Sequence, residues 1–207
     1  MSKSDAVRVA ALVSCVAIPF LGGPAAAAEV APDQPIYYAN CQYGFAVIYP
    51  NNSKQPLTRD IRYTIPFYAN NLPAREFYLE QGGNRYTVTV VDFSTGPRSD
   101  ELIVEQAAAE LRKLGEVRFQ AYADYDPGMP GRQLNIFQPN NRQVRASIYM
   151  AYHKLVITEA AATVGDFAAI QFEQSIVLVD PMGTDIDRVN GQDGTGAEPE
   201  RKFPCSR

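Results

Sequence analysis

Few residues in this 207-residue chain have types and spacing that could do chemistry. There is one histidine, His153. A Ser-His-Asp or Cys-His apparatus needs such a residue within hydrogen-bond reach of a nucleophile and an orienting acid. His153 instead falls between two alternating apolar runs, where a hairpin turn is expected, and no Gly-x-Ser-x-Gly elbow is present. One histidine and two distant cysteines, Cys41 and Cys205, fall short of a zinc set. Two stretches hold the spaced aspartates of a calcium loop, Asp124-Tyr125-Asp126-Pro127-Gly128 and Asp185-Ile186-Asp187 before Asn190-Gly191. Both lack the closing Glu, so they read as solvated turn carboxylates. Glu76, Glu80, Asp92, Asp100 and Glu101 are available for paired-carboxylate hydrolysis, but nothing singles out two of them. With no Trp beside 12 Tyr and 10 Phe, a common sugar-stacking platform is also missing. Gly82-Gly83-Asn84 reads as a hairpin turn and not as a phosphate loop. No catalytic, cofactor-binding or metal-ligating residue is assigned, and no cofactor is expected. No basic run exceeds a pair, which disfavours a nucleic-acid partner or a polybasic membrane patch.

The first residues speak of compartment. Lys3 and Arg8 precede an apolar stretch, Val9 to Leu21, which is interrupted by Pro19 and broken by Gly22-Gly23-Pro24. Ala26-Ala27-Ala28 then supplies small residues for cleavage between Ala28 and Glu29. Residues 1–28 thus read as a secretory signal, too short and broken to span a bilayer. The mature chain is expected to be periplasmic or secreted, with no transmembrane span. Loss of Lys3, Asp5 and Arg8 takes the net charge from −4 to −5. Leu12-Val13-Ser14-Cys15 has the form of a lipobox, which would anchor the chain at Cys15, but most of the apolar stretch follows that cysteine. Export permits a Cys41–Cys205 disulfide closing a loop of more than a hundred residues. The alternative is an unpaired Cys205 in a loose tail. Both stand open, because spacing alone does not show how near the two α-carbons come.

The elements that must position these residues follow from periodicity. Residues 29–42 form a lead-in with Pro32 and Pro35. Tyr43 to Tyr49 alternates with apolar groups on both sides, as a strand covered on both faces does. Pro50-Asn51-Asn52-Ser53 is a turn cluster. Residues 57–72 are ambiguous, with Ile61, Tyr63 and Ile65 alternating before prolines break the run. Strands are expected over 75–80 and over 85–93, the latter rich in β-branched residues. Ser99 is a good helix N-cap, followed by Asp100 and Glu101, and Arg112 and Lys113 suit the other end. Gly115 stands where a left-handed terminator is wanted. Ile103, Ala107, Leu111 and Leu114 form the apolar stripe. Strict alternation returns over Glu116–Tyr122, with Val117, Phe119 and Ala121 on one side. Leu134 and Ile136, a turn at Pro139-Asn140-Asn141, and Val144, Ala146, Ile148 and Met150 continue the pattern. A tight turn at His153-Lys154 leads into Leu155-Val156-Ile157. A last helix starts at Asp166, with Ala168, Phe172, Ile176 and Val179 at helical spacing. Residues 181–207, rich in Gly, Asp, Glu and Pro, are expected to be disordered. The result is one domain, 43–180. Tyr37, Tyr38, Tyr43, Tyr122, Tyr125, Tyr149 and Tyr152 read as half-buried edge residues or as contact area for a partner.

The ending carries a family resemblance. A strand around Leu134-Asn135-Ile136, a polar strand with Arg145 and Tyr149, a hairpin into Leu155-Val156-Ile157-Thr158 and a helix ending Phe172-Glu173-Gln174-Ser175-Ile176 resemble the PsbP-like superfamily. That group includes the extrinsic protein of photosystem II and a Ran-binding import factor. The early Tyr43-Gly44-Phe45-Ala46-Val47-Ile48-Tyr49-Pro50 resembles its opening strand. The resemblance implies an α+β fold, a central antiparallel sheet with helices packed against it. It also implies action by docking to a larger partner. No partner-binding pattern of those members can be placed on this chain, so fold likeness transfers no activity. The function expected is that of an exported, non-catalytic binding or accessory protein with a protein or envelope partner. The alternative is a small carboxylate-dependent hydrolase or a carrier with a ligand cleft.

Overall fold

The computed structural model describes residues 36–50, 55–66, 69–94, 99–126, 128–187 and 201–206. The signal segment 1–28 with its Ala28/Glu29 junction, Cys15, Asn51-Asn52-Ser53 and Asn190-Gly191 lie outside the described residues. In chain order the elements are β1 (Tyr38–Asn40), β2 (Phe45–Val47), β3 (Leu57–Ile65), β4 (Ala69–Gln81), β5 (Asn84–Asp92), α1 (Asp100–Arg112), β6 (Glu116–Tyr122), β7 (Gly131–Gln138), β8 (Arg142–Ala151), β9 (Lys154–Thr163), α2 (Phe167–Gln174) and β10 (Val177–Leu178). Seven strands form one antiparallel sheet in the order β3-β4-β5-β9-β8-β7-β6, and three more form a small sheet, β1-β2-β10.

Alternation along β8 and β9 sends side chains to two cores. Val144, Ala146, Ile148, Met150, Leu155 and Ile157 face Ile103, Val104, Ala107 and Leu111 of α1. On the other face Phe77, Val88, Val90, Val156 and Ala160 meet Phe45, Val47 and Tyr49, with Phe172 of α2 fully buried among them. Each fully buried large apolar side chain stabilises the fold by roughly 1.5–3 kcal/mol relative to exposure.

The α+β expectation is corrected here. The molecule is predominantly antiparallel sheet, with two helices of 13 and 8 residues. Helix α2 stops at Gln174, capped by Ser175, so Ile176 and Val179 do not extend it. The following Ile176-Val177-Leu178-Val179 is largely β-branched, which favours the pleated surface. Val177 and Leu178 accordingly pair with Ala46 and Phe45 of β2. A second sheet, and not helix alone, covers that face.

Smaller departures have equally local causes. Ser99 does cap α1, its hydroxyl accepting from the Leu102 amide at 3.4 Å. The buried stripe is Ile103, Val104, Ala107, Ala108 and Leu111, leaving Leu114 exposed. Gly115 is not left-handed. A β-carbon there would lie 2.2 Å from the carbonyl oxygen of Phe137, so close backbone approach excludes a side chain. A register shift between Val117 and Phe119 turns Phe119 outward, 52% exposed. The expected disorder of the tail is corrected at residues 181–187 and 201–206. Bridges join Val179 to Asp185 and Thr184 to Lys202, and Phe203 is buried. Described residues on both sides of the expected 43–180 are also buried, Ala39 and Cys41 before it and Ile186 and Phe203 after it. Among the described residues no helix is long and apolar enough to cross a membrane.

Candidate ligand-binding site

The turn between β1 and β2 meets the large sheet at the end of the β5–β9 pair, where Lys154 reaches Gln42. The Asn40 side chain accepts from the Tyr43 amide at 3.2 Å, and the Gly44 amide donates to the Asn40 carbonyl at 2.8 Å. The Gly44 carbonyl in turn accepts from the Val179 amide at 3.1 Å. Cys41 fastens the same turn to Cys205 by a disulfide, with α-carbons 5.5 Å apart. The tail passes so close beneath that a β-carbon on Gly183 would fall 2.3 Å from the Phe203 carbonyl oxygen. Of the two open readings of Cys205, the bridged one is found.

Beneath this turn lie two cavities that share Tyr43 and Lys154 in their linings. One, of about 410 Å³, is walled mainly by apolar groups: Ala151, Val156, Val179, Pro181, Ile186 and the Tyr152 side chain. The other, of about 260 Å³, is more polar, with Asp60, Arg75, Asp92 and Lys154 beside Pro73, Ala74 and Val90 in its lining. Lys154 stands opposite Asp92 in the β5–β9 register, and its amino group donates to the Gln42 carbonyl at 2.5 Å. Burial pushes its pKa down, and the Asp92 carboxylate partly opposes that shift. Arg75 sits 3.3 Å from the Asp60 carboxylate and 3.1 Å from the Thr58 hydroxyl, and its guanidinium carbon lies 5.7 Å from the centre of the Tyr43 ring. Its Nε is buried with no hydrogen-bond partner. An orphaned buried donor costs about 1–3 kcal/mol unless something accepts from it. An apolar chamber beside a few convergent polar groups is the usual form of a small-molecule site.

Of the histidine, carboxylates and cysteines singled out from sequence, Asp92 and Cys41 line these cavities and the others lie elsewhere. His153 occupies the β8–β9 hairpin tip with φ of 66°. Asp124 accepts from the Gly131 amide at 3.2 Å, and Asp185 accepts from the Tyr125 hydroxyl at 2.8 Å and the Asp187 amide at 3.0 Å. Glu76 accepts from Arg59 and Arg85, and Glu80 from Arg85. Asp100 and Glu101 form the first turn of α1, where Glu101 and Asp124 line a third cavity of about 450 Å³. In that cavity Arg132 is committed to Glu105 and to the Gly131 carbonyl.

Two carboxyls were missed. Glu159 shares a sheet face with Ile157 and Ala161, and burial together with the Glu76 carboxylate raises its pKa to about 7, against the lowering effect of Arg85. Its place in the alternating run Leu155, Ile157, Glu159, Ala161 is a signal readable from sequence. Glu173, only 3% exposed on α2, accepts from Arg145 at 3.1 Å and from the Ser147 hydroxyl. Neither carboxyl lines any of the three cavities.

No family model and no curated protein matches the chain. Solved structures are similar to it at low identity, two of them as follows. One is the solution structure of cyanobacterial PsbP (CyanoP) from Synechocystis, with TM-score 0.47 and 13% identity, covering 75% of this chain and 99% of that one. The other is a protein of unknown function, PA94 from Pseudomonas aeruginosa, with TM-score 0.30 and 11% identity, covering 64% and 85%. The likeness to CyanoP is a distant one.

Proposed function

We propose that this chain is an exported, non-catalytic binding protein. The chamber under the β1–β2 turn takes the apolar body of a small ligand, and Lys154 and Arg75 meet an acceptor at its polar end. One observation carries this reading: an apolar cavity of about 410 Å³ shares its Tyr43 and Lys154 lining with a smaller, more polar one of about 260 Å³ that Arg75, Asp60 and Asp92 also line. The signal-like first 28 residues support a periplasmic or secreted location. The test uses 1-anilinonaphthalene-8-sulfonate, which joins an apolar ring system to an anion. Saturable binding of one probe per folded chain, lost when Ala151→Phe fills the chamber, supports the reading. Probe binding that Ala151→Phe leaves intact defeats it.

Docking to a protein partner is favoured by a different observation. Phe119 and Tyr122 of edge strand β6 and Leu102 and Leu114 flanking it are large apolar groups left 42–76% exposed. Exposed aromatics of this kind are enriched at protein interfaces. Loss of a crosslinked partner from the envelope fraction on Phe119→Ser with Tyr122→Ser is the expected result.

A further inference from the structure

Strand β3 ends the large sheet, and among the described residues no strand pairs with its outer edge. Such an edge is a template for pairing unless its side chains forbid it. Those of β3 do not forbid a second copy of themselves. Asp60, 81% exposed along its side chain, and Arg62 flank the partly buried Ile61. We propose that β3 is a homodimer interface in which two copies pair antiparallel about a two-fold axis at Ile61.

In that register each Asp60 stands opposite the second copy's Arg62, twice over. Arg59 stands opposite Tyr63, where guanidinium and ring attract, and Ile61 meets its own equivalent. An isologous contact of this kind closes on itself. Moving the axis to Asp60 or to Arg62 sets like charges face to face, so charge selects the Ile61 register. Within its own sheet β3 is regular from Leu57 to Tyr63, and the register shift comes only between Tyr63 and Ile65. The five paired residues therefore lie in the straight part of the strand. Asp60 already has Arg75 on its own sheet at 3.3 Å, which leaves its outer side for the second copy. Among the described residues Arg62 makes a 3.4 Å contact with the Asn71 carbonyl. Both are free to turn outward without dismantling the core. The two-fold axis runs perpendicular to the sheet and joins the seven-stranded sheets edge to edge.

Sedimentation velocity on the purified full chain tests this. At about 0.05 M salt a dimer is expected, weakened at least tenfold in affinity near 1 M salt, where the screening length falls to about 3 Å. Arg62→Asp sets two carboxylates face to face at both ends of the pairing and should give monomer with unchanged circular dichroism. Asp60→Arg combined with Arg62→Asp restores opposite charges across the contact, with Arg75→Glu added so that position 60 keeps an opposite charge on β4, and should restore the dimer. A wild-type chain that stays monomeric at its highest soluble concentration overturns the proposal. So does a dimer untouched by Arg62→Asp, which would place the contact elsewhere, or a charge swap that fails to rescue.

Discussion

The amino group of Lys154 donates to the carbonyl of Gln42, 112 residues earlier, at 2.5 Å, and so ties the β8–β9 hairpin to the β1–β2 turn. The same amine forms the wall between the apolar chamber and its polar neighbour. Its loss is therefore felt twice. Lys154→Met keeps the aliphatic stem and removes the donor, so stability should fall by only about 1 kcal/mol. Affinity for the anilinonaphthalene sulfonate should fall about tenfold, because a hydrogen bond to a charged group contributes roughly 1.5–3 kcal/mol. Parallel titration and urea melts separate the two effects. Equal probe affinity in the two proteins would remove Lys154 from the site.

The Cys41–Cys205 bridge acts on the unfolded chain as much as on the folded one. It spans 164 residues, for which the loop-entropy estimate is about 5 kcal/mol, and measured losses for native bridges run about 2–5. Cys41→Ser with Cys205→Ser should lower the melting temperature steeply and release residues 201–206 from Ala39 and Gly183, which they now meet through backbone hydrogen bonds. Amide exchange at Phe203 and Ser206, rising to the rate of an unstructured peptide, reports that release. Protection kept without the bridge would show that Phe203 packing alone holds the tail.

The strands were readable because their reasons are local. Val144, Ala146, Ile148 and Met150 alternate, and all four are buried on one face. Asp166 was legible as a cap, its carboxylate accepting from the Ala169 amide at 3.0 Å. What escaped was decided at a distance. Ile176 and Val179 keep helical spacing from Phe172, yet pairing with β2 outweighs that pattern over the two residues of β10. Lys154 looked like an ordinary turn residue because the wall it shares with Tyr43 is built by a segment more than a hundred positions away. The tail reads as solvent-loving by composition, and a single covalent bond with Phe203 behind it changes the outcome.

Glu159 should give the fold an unusual pH dependence. Its folded pKa of about 7 stands above the roughly 4.3 of an unfolded glutamate. Across that interval the folded chain holds a proton that the unfolded chain has released. This contribution is complete below about pH 4, declines as pH rises toward 7, and is lost above it. Glu159→Gln removes the charge that burial penalises. The variant should be about 1–3 kcal/mol more stable than wild type at pH 8 and nearly equal to it at pH 4. Urea unfolding at the two pH values reads the difference. An unchanged gap between the proteins would mean that Arg85 already neutralises Glu159 in the folded chain.

Glu173 and Arg145 form a pair whose removal should be non-additive. The carboxylate is 3% exposed under α2, held by Arg145 at 3.1 Å and by the Ser147 hydroxyl, while Arg145 Nε is already buried without a partner. Glu173→Ala takes away the charge that offsets the guanidinium and leaves a hole beside Phe172. A loss of about 3–5 kcal/mol is expected. Glu173→Leu together with Arg145→Met keeps volume and removes both charges. Replacing a buried ion pair by apolar groups is often neutral or stabilising, so the double variant should recover most of that loss. A double-mutant cycle by urea denaturation supplies the coupling. Near-zero coupling would mean that Arg145 swings into water once Glu173 is gone, and that α2 is held to the sheet by the burial of Phe172 and Ala169 instead.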